Sequence, residues 1–131
     1  MDRQAIFYEE SRRFEFVMGA VALYWRPGPA SLMRAQLDRI SAVAALTNVT
    51  VGVIPLCTKV ADVWCDHSFN IFDDREDAQD PFVHAETLTT PVNATDQADV
   101  AAYQDAFRRL QDAAVTGEDA RQLITEASRS L

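Results

Sequence analysis

Residues 48–55 read Asn-Val-Thr-Val-Gly-Val-Ile-Pro: β-branched side chains recur, no charge interrupts them, and proline closes the run. Only Thr50 and the small Gly52 break the apolar character, so the segment reads as a strand buried on both faces and central in its sheet. Such a strand requires covering layers, and its neighbours supply them. On the N-terminal side, Met33, Leu37, Ile40 and Ala44 recur at helical spacing, with Arg34, Asp38 and Ser41 between them, which predicts an amphipathic helix over Ala30–Leu46. Arg26-Pro-Gly-Pro29 before it is a break, because two prolines fix φ and remove donors. Phe14-Glu-Phe-Val-Met18 alternates as a strand does, Gly19–Trp25 fits either a helical turn or more strand, and Asp2–Arg13 reads as a short helix.

On the C-terminal side, Leu56–Asp66 has no period and reads as a loop. Ser68–Phe72 and Phe82–Leu88 alternate apolar and polar side chains across the acidic run Asp73–Asp80, which predicts a long-looped antiparallel hairpin. Thr95 and Asp96 offer N-cap oxygens to a helix carrying Val100, Tyr103, Phe107, Leu110 and Ala114 on one face. After Thr116-Gly-Glu-Asp119, a last amphipathic helix presents Leu123, Ile124, Ala127 and Leu131. The expected architecture is α/β (α+β): one domain over residues 1–131, with a four-stranded mixed sheet covered by amphipathic helices. In it the Asp99–Val115 helix presses Tyr103, Phe107 and Leu110 on the sheet, so Phe107→Ala should cost about 3 to 5 kcal/mol.

Composition narrows the function. A chain of 131 residues with 48% hydrophobic and 24% charged content can bury a core without a metal or disulfide staple. Twenty acidic residues against twelve basic ones give a net charge of −8, Lys59 is the only lysine, and the arginines are scattered, so direct binding to a phosphate backbone is disfavoured. No apolar run approaches a membrane span or a secretory signal, so a cytoplasmic protein is expected, with Cys57 and Cys65 as buried thiols rather than a disulfide staple.

Catalytic chemistry is thinly supplied. The chain has two histidines and neither a nucleophile elbow nor a phosphate-cradling glycine loop, so no catalytic residue, metal or cofactor is expected. Cys57, Asp62, Cys65, Asp66 and His67 do not follow a standard zinc spacing and read as loop residues. His84 and Glu86 share one face of a strand, where exposed polar residues ordinarily collect. Trp25 and Trp64 suit a core, a pocket or a protein interface, because each joins large apolar area to one donor.

Taken in order, Arg3-Gln4, Phe14-Glu-Phe-Val17, Ala22-Leu-Tyr-Trp-Arg-Pro-Gly-Pro29, Met33-Arg-Ala-Gln-Leu37, the 48–55 strand, Glu86-Thr-Leu88, Asp99-Val-Ala-Ala-Tyr103, Phe107–Leu110 and Gly117-Glu-Asp-Ala-Arg121 resemble an actinobacterial family. It comprises Xre-type helix-turn-helix, antitoxin-like transcriptional regulators, and the resemblance is to their C-terminal domain of uncharacterised function. It implies a regulatory domain acting through dimerisation or capture of a partner. The implied partners are the chain itself, a full-length homologous regulator, or a small companion protein encoded nearby. The family's helix-turn-helix and the first helices of its C-terminal domain have no counterpart here, so the chain is expected to be N-terminally truncated and not to bind DNA itself. Ala20 stands where the family commonly has Glu. The competing expectation is a small enzyme or small-molecule-binding protein with a pocket near Trp25, Arg26, His67 and Glu86; a pocket joining those four would favour it over a flat apolar binding surface.

Overall fold

The computed structural model describes residues 3–60, 67–74 and 79–131. Their backbone forms two compact units: residues 1–59 with 113–131, and residues 60–112. The fold is mixed α+β, with four α-helices and two sheets among the described residues.

In the first unit, strand β2 (Val49–Ile54) pairs in parallel with β1 (Phe14–Gly19), in register from Phe14↔Val49 to Gly19↔Ile54. Parallel neighbours need a crossover. Here the connection contains the four-residue helix α1 (Val21–Tyr24) and then α2 (Ala30–Ala44). Helix α2 starts after Pro29, whose fixed extended conformation ends the preceding turn and whose carbonyl accepts the Met33 N–H. Met33, Leu37 and Val43 are its buried residues, with Ile40 and Ala44 packed at the margin of the core. The last helix, α4 (Gly117–Arg129), buries Ala120, Ile124 and Ala127 at i, i+4 and i+7, and packs on both α2 and β2. Val53 is wholly buried and Ile124 nearly so.

The expected single four-stranded sheet is corrected by this arrangement. The second edge of β2 is occupied not by a strand but by one antiparallel bridge, in which Val53 and Val115 exchange N–H···O bonds of 2.9 Å in each direction. Gly52 makes that approach possible: a Cβ there would lie 3.1 Å from the Ala114 Cβ, so a side chain would push the segment away. Burial of β2 holds on the face of Val49, Val51 and Val53, whereas on the other face Gly52 is buried, Ile54 half-buried and Thr50 exposed, which corrects the expected two-sided burial. At its start, the Asn48 carboxamide donates to the main-chain oxygens of Phe7 (3.0 Å), Glu9 (3.3 Å) and Arg12 (2.9 Å), tying down the 3-10 helix Arg3–Tyr8 and the turn after it. The short first helix expected there is thus present in tighter form, and Phe7 sets its ring edge-on against Phe14.

The second unit holds an antiparallel sheet in the order β3 (Phe69–Asp74), β4 (Gln79–Ala85), β5 (Val92–Ala94). The expected hairpin is present, but its strands extend further toward the tip, to the pair Asp74↔Gln79. The part of the acidic run at residues 75–78 lies outside the described residues. Beyond Ala85 the predicted strand stops, and Leu88 is fully exposed. Strand β5 escapes the sequence reading because three residues cannot display a period. Helix α3 (Gln97–Ala113) buries Val100 and lays Tyr103 against Phe69, ring centroids 5.0 Å apart. Val83, Ala94 and Val100 form this small core, with Phe69, Ile71 and Tyr103 around it. Phe107 and Leu110 are only half-buried and belong to neither core cluster, which corrects their expected place on the sheet.

Candidate functional site

The first two sequence-predicted site residues lie in the first unit, directly after α1. Helix α1 is fixed from inside by Leu23 and by the Ala20 N–H, which donates to Ile54 O at 2.8 Å. Ala20 itself is buried. Trp25 leaves the helix with extended backbone and is 73% exposed, which removes it from the core. Val21 and Leu32 on either side of it in sequence are 68% and 58% exposed, and Tyr24 37%. Arg26 turns the other way: its Nη2 donates to Ser130 O (2.8 Å) and Ser130 Oγ (3.1 Å), while Arg34 Nη2 donates to Leu131 O (2.7 Å). The carbonyl end of α4 therefore meets two guanidinium groups, with Arg129 in its own last turn, and its acidic residues Glu118 and Asp119 sit in the first turn. This charge order complements the helix dipole. Arg26 thus fastens the base of the segment that displays Trp25.

The other two lie in the second unit. His67 Nε2 is 3.4 Å from the Tyr103 hydroxyl. Glu86, its side chain 85% exposed, has Oε1 3.8 Å from His84 Nε2, and His84 Nδ1 is 2.8 Å from Asn93 Oδ1. His67 and Glu86 consequently serve different local clusters, one under α3 and one on the sheet. The shared face of His84 and Glu86 read from the strand period brings their side chains within 3.8 Å, while Asn93 was missed because its strand was missed. On α3, Asp105 accepts from Arg109 at 2.9 Å and from Arg108, and these two arginines hold its carboxyl below the ordinary carboxylate range, the Arg109 hydrogen bond contributing most.

A shallow cleft of about 270 Å³ opens in the first unit. Its floor includes Ala44, Val51 and Ile124, and its rim Thr50, Thr116 and Arg121; Trp25, Arg26, His67 and Glu86 do not line it. Among the described residues no group of three or more His, Cys, Asp or Glu side chains is placed to hold a metal. Cys57 is exposed, with φ in the left-handed region, which corrects its expected burial, whereas Asp62, Trp64, Cys65 and Asp66 lie outside the described residues. No described helix is long and apolar enough to cross a membrane.

A family model described as Domain of unknown function (DUF5753) matches residues 1–126. No curated protein and no solved structure matches the chain.

Proposed function

The chain belongs to the DUF5753 family, and from that premise we propose that it is a regulatory, partner-binding domain of a bacterial transcriptional regulator, working through protein–protein contact rather than catalysis. The observation that carries this reading is the exposure of Val21, Trp25 and Leu32, each more than half exposed within residues 21–32, beside Arg26, which is anchored to Ser130. A tryptophan on a rigid base suits an interface anchor, because it brings large area and one donor at little entropic cost. The proposed partners are a second copy, a full-length homologous regulator or a small companion protein, and the effect is a population shift in that regulator's DNA-binding state. Direct DNA binding is left to that regulator, in keeping with the net charge of −8.

The test mixes the chain with a full-length regulator of the family, following assembly by sedimentation velocity and operator retention by gel shift. Mixed species and altered retention are expected, both lost in a Trp25→Ser, Leu32→Ser double variant. Unchanged sedimentation and retention with the parent chain would overturn the reading.

A further inference from the structure

The chain's charge is not shared between its units. Residues 60–112 carry 12 acidic and 3 basic side chains, a net −9, whereas the first unit carries 8 acidic and 9 basic, a net +1. Two of the three cations of the second unit, Arg108 and Arg109, converge on Asp105.

Its sheet has two unlike faces. Phe69, Ile71, Val83 and Ala85 alternate onto the side that meets Val100 and Tyr103 of α3. The intervening residues fall on the other side, where Phe72 pairs with Phe82, Asn70 with His84, and His84 with Asn93. There the rings of Phe72 and Phe82 stack at 4.8 Å with an interplanar angle of 16°, yet remain 47% and 43% exposed. Beside them His84 is anchored to Asn93 and faces Glu86, and exposed Asp80 precedes Phe82 by two residues on β4. Aromatic π-faces bordered by carboxylates attract cations twice over, through the ring quadrupole and through direct charge.

We infer that this open face of the β3-β4-β5 sheet is the docking surface for a Lys/Arg-rich segment of a partner protein. The inference rests on the partner-binding reading above and specifies its chemistry. Charge complementarity selects this occupant: a second copy meeting it through the same face would set −9 against −9, and a nucleic acid would meet the same repulsion. The second unit has only three basic residues, two of them paired with Asp105, so it supplies no basic segment of its own.

The experiment titrates the ¹⁵N-labelled full chain with a hexa-arginine peptide and with its glutamine analogue, reading amide shifts at low and high salt. Saturable shifts at Phe72, Phe82, His84 and Glu86 are expected for the arginine peptide alone. A Phe72→Leu, Phe82→Leu variant, which keeps apolar area but removes both rings, should bind about 3- to 10-fold more weakly with an unchanged melting curve. Glu86→Gln should weaken binding more than Asp99→Asn, an equal charge change on α3. Equal effects of those two variants with none from the leucine pair would reduce the binding to diffuse attraction and overturn the inference. So would shifts centred on Val21–Leu32, or concentration-dependent shifts at Phe72 and Phe82 without peptide. Because the mixed-assembly test uses Trp25 and Leu32 instead, retained mixed assembly with no peptide binding would refute this inference alone.

Discussion

The two units divide the work of folding and of display unequally. The first gathers ten buried residues from β2, α1, α2, α4 and Ala20 around Val53 and is almost neutral. The second encloses three, on one side of a sheet whose other side is open, and holds all of the excess negative charge. Buried apolar area sets stability, whereas exposed rings and unbalanced charge set what can be recognised. A small core beneath an open face fits a surface shaped for contact, and a large core fits a frame.

The sharpest way to break this contrast is to damage each core in turn. Ile124→Ala, at 2% exposure between α2 and β2, should cost about 3 to 4 kcal/mol, while Val83→Ala in the smaller core should cost about 1.5 to 2.5 kcal/mol. Denaturant melts give the size, and amide exchange gives the unit affected. Equal losses would show the second core to be as heavily relied on as the first. Next in size is Gly52→Ala, which forces β2 and Ala114 apart by a few tenths of an ångström and should cost about 1 to 3 kcal/mol. Its signature is faster exchange of the Val53 and Val115 amides; protection equal to the parent's would mean that the bridge does not depend on this glycine. Phe107→Ala, half-buried, should cost only about 1 to 2 kcal/mol. A loss near the sequence-based expectation would restore α3 to a main core.

The smallest effect concerns acid. The folded pKa of Asp105 lies below its ordinary value, so its contribution is present above the unfolded value near 3.8 and is lost as pH falls through the folded one. The site is solvent-exposed, so the change should be slight: the melting temperature of Asp105→Asn should approach the parent's as pH drops below that range. A constant gap between the two at every pH would assign the effect to shape instead of charge.

The elements with length and period were legible in the sequence. Strand β2, helix α2, the β3-β4 hairpin and the amphipathic α4 all follow from residue alternation or helical recurrence. What the pattern does not encode is which edge meets which. Nothing in Val49–Ile54 says that Val115 closes its far side; only Gly52 hints at a close approach, and its partner lies some sixty residues away in sequence. Nothing in the sequence marks Asn48 as a clamp, because three main-chain oxygens become its acceptors only when the first turn folds back. Among the site residues, His84 and Glu86 were legible as a strand-face pair, whereas the exposure of Trp25 and the anchoring of Arg26 depend on how α1 and α4 meet. Phe72 and Phe82 looked like two ordinary strand positions until the register set them side by side.

The first unit is assembled from two separated pieces of chain, residues 1–59 and 113–131. During synthesis the first piece leaves the ribosome without Ile124, Ala120 or the Val115 edge, and β2 must wait, half-covered, while residues 60–112 are made. The second unit, with its local antiparallel pairings, can form in that interval, and by ordering itself it shortens the disordered span that separates α4 from its seat. The core of the first unit is thus closed by long-range contacts between α4 and β2, whereas the smaller core closes through local ones.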